Sequence, residues 1–367
     1  MFRLGIIQDY IPRYRAKFFE LLRHKLLEED VDLHILSSLA LGSQRARKDS
    51  VELDFLDDFP QWQLQFSKLA VVFPKNLSKF QNYDALIGPL RGSSFSTNAM
   101  IVHCLKFNKP FGLWGHVRNY VNPDNFIDLL IEKKQMSLAT SIFAYTDSGR
   151  KFGLKQGITR DKFFVLNNTF DTSELEQELA KVTKHEQTEL INRYNLHPTK
   201  TLLYIGGLDS SKRIDFLTSA LNQIWLTDPE IKLLIIGDGE DRYLLDKAVL
   251  RSQVHFLDNS NQHSKAVASR IARLILMPGR IGLVAVDSII LGIPIVTTNF
   301  AFHAPEFDYL VEGKSKHTSK NDTPSSYSKL VIRLLNLKMP FNFSDRPPSI
   351  EKMLGTFVKG VLKMKQQ

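Results

Sequence analysis

A chain of 367 residues, 43% hydrophobic and 24% charged, has the composition of an ordinary globular protein and the length of roughly two domains. Its one cysteine, Cys104, excludes a disulfide framework or a cysteine metal cluster and fits a reducing cytoplasm. No stretch approaches the roughly 20 apolar residues of a membrane span, and the net charge of +9 leaves nucleic acid, an anionic membrane or small phosphorylated ligands as partners.

Nucleic acid is disfavoured because no zinc-finger or RNP signature is present and the basic residues are scattered. An anionic membrane surface is the more attractive partner, beside the plain reading that the charge serves solubility. At the start only residues 4–7 are continuously apolar, too few for a signal peptide and enough for a first buried strand.

The first half alternates strand and helix patterns. Residues 3–8 are predicted as a strand, 14–28 as a helix with Phe18, Leu21, Leu22 and Leu26 at helical spacing, and 31–37 as the next strand. This opening begins a doubly wound sheet, and the loop 8–14 at a strand's carboxyl end is a candidate lip of a ligand cleft. Residues 41–80 read as irregular, with a basic cluster at Arg45, Arg47 and Lys48. Asp57 and Asp58 read as a solvated turn before Pro60, and the lysine- and aromatic-bearing run 67–80 as a half-buried segment rather than a membrane contact. Strands are predicted at 83–88, 110–114, 142–146 and 162–166, with helices at 98–107, 123–139 and 147–156. His116 follows a strand end and Gly115, where α/β proteins place ligand contacts, and this position lifts it above the structural default for a lone histidine.

A charged helix over 173–194, followed by Pro198, marks the domain boundary, and the second half repeats the logic. A strand at 201–205 runs into Gly206 and Gly207, and Lys212 and Arg213 stand at the N-terminus of a helix over 214–226. Cations oppose the helix dipole there unless an anion joins them, so the pair is a candidate diphosphate clamp, against the plainer reading of solvated helix-end charges. A strand at 232–236 ends in Gly237, Asp238 and Gly239; a helix at 243–250, a strand at 254–257 and a helix at 264–271 follow. Residues 274–298 form a βαβ pattern: a strand, a loop with Pro278, Gly279 and Gly282, a helix stopped by Gly292, and a second strand. A loop at such a helix N-terminus suits a phosphate or carboxylate; plain βαβ punctuation is the equal alternative. The tail carries a polar, proline-rich bridge, SDRPPS, and a basic amphipathic helix over 350–365. No HExxH, CxxC, GxSxG or Walker A motif occurs, and GDGED is not a GxGxxG fingerprint.

The pieces YRAKFFELL, LWGH, AYTDSGRKFGLKQGI, VLNNTFD, YIGGLDSSKRID, LLIIGDGE and GLVAVDSIILGIPIVTT with HAPEFDYL, in this order over most of the chain, resemble a GT-B glycosyltransferase of the large retaining family numbered four, the bacterial group 1 type. The resemblance implies an α/β fold of two Rossmann-like, doubly wound parallel-sheet domains facing across a cleft. Residues 1–172 would be the acceptor domain, 173–345 the nucleotide-sugar donor domain, and 346–367 a helix packing back on the first. It implies retaining transfer of a hexose-type sugar to a glycan or lipid-linked acceptor, in surface polysaccharide or lipopolysaccharide synthesis, by a cytoplasmic enzyme peripheral to the membrane. His116 would sit near the transferred sugar, and Lys212 with Arg213 would stabilise the leaving diphosphate. Gly206, Gly207 and the backbone amides of Gly282 and Leu283 would line the phosphates, Asp287 would take the ribose hydroxyls, and Gly237, Asp238 and Gly239 would approach the base. Fixed cations and a helix N-terminus stabilise the departing charge, so neither a cofactor nor a metal is expected.

Three positions depart from the family pattern. Gly279 stands where the first of two spaced glutamates is expected, Asp287 stands for the second, and Gly207 replaces an arginine. Backbone at Gly279 and Arg280 would then contact the sugar in the missing side chain's place. The departures keep two other readings open: a GT-B sugar-nucleotide epimerase, and a catalytically silent GT-B binding subunit.

Overall fold

The computed structural model describes residues 1–37, 51, 53–59, 61–66, 69–118, 126–258, 261–337 and 347–367. The basic cluster Arg45, Arg47 and Lys48, and the predicted helix start at Pro123, lie outside the described residues. Two compact units make up the chain: Met1–Asp171 with Pro348–Gln367, and Thr172–Pro347.

The first unit contains β1 (Phe2–Gln8), α1 (Arg13–Leu27), β2 (Val31–Ser37), β3 (Leu56–Asp58), β4 (Gln61–Phe66), β5 (Leu69–Pro74), β6 (Ala85–Pro89), α2 (Phe95–Lys106), β7 (Phe111–Gly115), α3 (Phe126–Leu138), β8 (Ser141–Ala144), α4 (Asp147–Lys155) and β9 (Phe163–Val165). Its parallel sheet runs β3-β2-β1-β6-β7-β8-β9. The segment expected to be irregular is more ordered than its sequence suggests. β4 and β5 form an antiparallel hairpin that pairs Trp62 with Phe73, and a single 3₁₀ segment occupies Leu77–Asn82. Asp57 and Asp58 are not a solvated turn: they lie in β3 and pair with Leu36 and Ser37 of β2, and the Asp57 carboxylate accepts the Tyr83 hydroxyl and lies 3.2 Å from His34 Nδ1.

The second unit contains α5 (Ser173–Lys181), α6 (Lys184–Tyr194), β10 (Thr201–Ile205), α7 (Ile214–Thr227), β11 (Lys232–Ile236), α8 (Asp246–Leu250), β12 (Val254–Phe256), α9 (Gln262–Ser269), β13 (Leu274–Leu276), α10 (Val284–Leu291), β14 (Ile295–Thr297), β15 (Lys316–Thr318) and α11 (Pro324–Leu335). The single charged helix expected over 173–194 is two helices. Thr183 accepts the Glu186 N–H and the Glu186 carboxylate accepts the Thr183 N–H, a capping box that starts a new helix. The parallel sheet runs β12-β11-β10-β13-β14-β15. Covered on both faces, β10, β13 and β14 are buried at every residue, which is why they read as apolar runs interrupted only by Thr201 and Thr297.

The last helix, α12 (Ile350–Lys365), belongs to the first unit. Ser349 caps it by accepting the Lys352 N–H at 3.2 Å. Ile350, Met353, Leu354, Phe357, Val361 and Met364 are buried at the spacing of a single helix face, against a cluster that includes Phe18 and Trp114. Phe357 stacks on Phe143 with ring centroids 4.3 Å apart. A Cβ at Gly360 would lie 2.3 Å from the Phe143 ring, so glycine allows the helix to approach the sheet closely. Phe357→Ala is expected to destabilise the first unit by about 3–5 kcal/mol, read as a lower urea midpoint; an unchanged midpoint would show that α12 contributes no core.

Candidate functional site

The strand order of the second sheet reverses between β10 and β13, and ligands of doubly wound sheets lie beyond the strand carboxyl ends at such a switch point. Three loops meet there. Gly206 donates to Ile236 O at 3.0 Å, Leu208 to Asp238 O at 3.0 Å, and Arg280 to Ser211 O at 2.9 Å, all through backbone N–H groups. A Cβ on Gly237 would stand 1.9 Å from Gly206 O, on Gly239 2.3 Å from Leu208 O, and on Gly279 2.5 Å from Ser211 O. These three positions therefore have no room for a side chain, and a glutamate at 279 does not fit this loop. Gly207 is different. A Cβ there would meet the movable Asp209 Oδ2 at 3.1 Å and backbone only at 4.0 Å.

Lys212 is drawn into this frame. Its Nζ donates to Arg280 O at 2.5 Å, which ties the β10 loop to the β13 loop. α10 opens with Leu283 at its N-cap and no side-chain cap; Ala285 and Val286 donate to Gly282 O and Leu283 O at 2.9 Å each, and the helix start presents the positive end of its dipole. A Cβ on Gly282 would make only ordinary contacts, 3.6 Å to Ala304 and 4.0 Å to Glu306 Oε2.

The segment after β14 pins this loop from the other side. Ile281 donates its N–H to His303 Nδ1 at 3.2 Å, and Ala304 donates to Ile281 O at 2.7 Å. The His303 ring stacks on Phe307 at 3.9 Å, and Lys316 Nζ lies 3.7 Å from the centre of that phenyl ring. Burial pushes the His303 pKa down to about 4; the Thr298 carbonyl opposes the shift, and Lys316, Lys212 and Arg280 add to it. The imidazole is thus neutral at pH 7, with Nδ1 as acceptor and the proton on Nε2. Glu306 is almost fully buried beside it.

Three sequence-predicted residues are held by partners of their own. The Arg213 guanidinium donates to Asp322 at 2.7 Å and Thr298 at 3.1 Å, with Phe216 and Phe300 against it at 4.3 and 5.5 Å. Its backbone has φ +57, a left-handed conformation uncommon outside glycine. Asp287 is buried and pairs with Lys265 Nζ at 3.0 Å. Asp238 is exposed and accepts its neighbour Gly239's N–H at 2.9 Å.

In the first unit His116 follows the end of β7. Its neighbour Val117 is buried with φ +64, a conformation that a branched side chain holds only under constraint. α4 packs closely on this turn, since a Cβ at Gly149 would lie 2.7 Å from His116 O. The His116 ring meets Tyr145 edge-on at 4.8 Å, and Tyr145 lies 6.3 Å from Trp114. The Arg15 guanidinium lies 5.4 Å from the Trp114 ring and donates to Asn168 Oδ1 at 2.9 Å.

Sequence reasoning did not single out His303, Glu306, Lys265 or Arg15, whose contacts the structure shows. Arg15 had a usable signal, because α1 starts with Arg13, Arg15 and Lys17 and no acid in its first turn, the same opposition to the dipole that marks Lys212. Among the described residues, no cluster of three or more metal-ligating side chains occurs.

Residues 186–346 match the family model described as Glycosyl transferases group 1. No curated protein matches the chain in sequence. Among solved structures, Anabaena HepE in complex with UDP aligns over 100% of this chain and 98% of its own at 13% identity and a TM-score of 0.59. The S. aureus MnaA–UDP co-structure aligns over 100% and 98% at 12% identity and a TM-score of 0.64. The UDP-GlcNAc 2-epimerase from Neisseria meningitidis bound to UDP-GlcNAc aligns over 99% and 100% at 12% identity and a TM-score of 0.63. The chain has the GT-B fold.

Two glycines of this loop differ in the room around them. Gly279→Glu is expected to cost about 3 kcal/mol by forcing the loop off Ser211, seen as a lower unfolding midpoint, whereas Gly282→Ala, which makes only ordinary contacts, keeps wild-type stability. His303 sets a pH dependence. Its pKa is 6.5 in the unfolded chain and about 4 when folded, so between these values only the unfolded state takes the proton and stability is lost as pH falls, by up to about 3 kcal/mol. His303→Phe is expected to flatten that part of the profile of unfolding free energy between about pH 7 and 4.5; an equal slope in both proteins would contradict the assignment.

Proposed function

We propose that this protein is a retaining glycosyltransferase that moves a hexose-type sugar from a nucleotide-sugar to a glycan or lipid-linked acceptor, in the assembly of a surface polysaccharide or lipopolysaccharide. The observation that carries the reading is the convergence of Lys212, the 278–283 loop and the uncapped start of α10 at the switch point of the second sheet. It falls within the segment that matches the group 1 glycosyltransferase model.

Departure of a nucleoside diphosphate builds negative charge. A cation already fixed on the Arg280 carbonyl, together with helix N–H groups, stabilises that charge where it develops without reorganising. In this reading Lys212 carries the leaving-group charge, Gly282 and Leu283 donate to phosphate oxygens, and Arg213 braces α7 beside them. Asp287, with its charge balanced by Lys265, takes the ribose hydroxyls, and Gly237–Gly239 approach the base. His116 is assigned the contact with the transferred sugar that the resemblance implies. UDP is the first nucleotide to test, because the structures of three proteins of this fold hold UDP or a UDP-sugar.

A UDP-sugar epimerase is the second reading, favoured by the UDP-GlcNAc 2-epimerases among the structures of this fold. Turnover of a nucleotide-sugar without any acceptor would select it. For the transferase, UDP is expected to raise the melting midpoint, and Lys212→Ala to lower the transfer rate by about 100-fold or more. His116→Ala is expected to abolish transfer while leaving UDP binding in place. Absence of binding by any nucleoside diphosphate, or full transfer by Lys212→Ala, would refute the proposal.

A further inference from the structure

Arg15 is a buried cation without an anion. It stands in the first turn of α1 and is 5% exposed. Among the described residues, the side chain it bonds is that of Asn168, to whose Oδ1 its Nη2 donates at 2.9 Å. Nη1 is buried and has no hydrogen-bond partner. Tyr14, Phe18 and Trp114 place their rings 5.3, 5.6 and 5.4 Å from the guanidinium carbon. Ring faces attract the charge but do not accept the in-plane N–H bonds that a guanidinium offers. A guanidinium taken out of water without a carboxylate is costly, so the arrangement suits a counter-ion.

Two further features have the same polarity. Trp114 Nε1, on the ring beside the guanidinium, is also buried with no acceptor, although a buried indole N–H usually finds one. α1 starts after Pro12 with no side-chain cap and no acid in its first turn, so the positive end of its dipole adds to the charge of Arg15. Unsatisfied donors and positive charge in one place are the complement of a phosphate or carboxylate, which offers only acceptors. The start of α1, Trp114 near the end of β7 and Asn168 beyond β9 all lie at the carboxyl ends of strands of the first sheet, the side on which doubly wound sheets hold ligands. Trp114 adjoins Tyr145, whose ring meets His116. Tyr14 is 46% exposed, so rotation of its ring opens a path from solvent to the guanidinium.

We propose that Arg15, with Trp114 Nε1 and the start of α1, holds an oxyanion, the phosphate or carboxylate group of the acceptor. The oxyanion site stands on the geometry of the first unit alone; its assignment to the acceptor rests on the transferase reading. Thermal unfolding of the full chain saturated with UDP, with chloride exchanged for inorganic phosphate at constant ionic strength, tests the site. Phosphate is expected to raise the midpoint. Arg15→Met is expected to remove that rise and keep the response to UDP. In chloride the same variant is expected to melt about 2–4 °C above wild type, because an unpaired buried cation is gone; an arginine that serves packing alone gives a lower midpoint. Trp114→Phe, which keeps a ring and loses the N–H, is expected to weaken phosphate binding roughly tenfold. Glucose 6-phosphate, glucuronate and glucose, titrated calorimetrically into the UDP-saturated protein, identify the source of the oxyanion. One of the charged sugars is expected to bind at least about tenfold more tightly than glucose, and Arg15→Met to remove that margin. No response to phosphate, an equal response in Arg15→Met, loss of UDP binding in that variant, or its lower midpoint in chloride would each overturn the oxyanion site. Charged sugars that bind no better than glucose would overturn the assignment to the acceptor. A protein that binds no UDP and keeps the Arg15-dependent phosphate response would refute the transferase reading and uphold the oxyanion site.

Discussion

The candidate donor site depends on backbone packed against backbone. Gly237, Gly239 and Gly279 each face a carbonyl that lies where a Cβ would be, and this closeness allows the loops after β10, β11 and β13 to lock together by direct N–H to carbonyl bonds. Lys212 Nζ then donates to the Arg280 carbonyl, which joins the β10 loop to the loop that precedes α10. A side chain at any of the three glycines would separate the loops and leave the lysine and the helix start without a common frame.

The same constraint recasts the departure at Gly279. Read from sequence, a glycine in place of an expected glutamate looks like a lost sugar contact. In the structure it is the point at which the β13 loop crosses Ser211 and Lys212. The nearest buried carboxylate to Gly282 that the geometry identifies is Glu306, held in the segment whose His303 and Ala304 clasp Ile281. Around the glycine loop the cations Lys212, Arg280 and Lys316 stand with a histidine kept neutral by burial, an environment suited to a doubly charged phosphate group.

Much of the fold was legible because buried parallel strands have a plain signature. Runs such as residues 202–205, 233–236 and 274–276 are apolar and end in glycine or proline loops. The hairpin β4–β5, the strand β3 and the break between α5 and α6 were not, because pairing partners and a local capping box decide them rather than composition. In the site, Lys212 and the 278–283 loop were legible from glycine spacing and from charge set against a helix dipole. His303 and Lys265 were not, since their roles rest on contacts with Ile281 and Asp287, each 22 residues away. Arg213 carried the same sequence signal as Lys212. A carboxylate 109 residues on, Asp322, and the ring of Phe300 engage it instead, and nothing near Arg213 in the sequence announces them.

The central claim is that the loops at the β10–β13 switch point receive a diphosphate. Amide hydrogen exchange of the full chain with and without UDP tests it most directly. The account predicts slower exchange confined to residues 206–213 and 278–286, with the first turn of α10 most affected. Protection elsewhere with these segments unchanged, or no protection at saturating UDP and other nucleoside diphosphates, would contradict it.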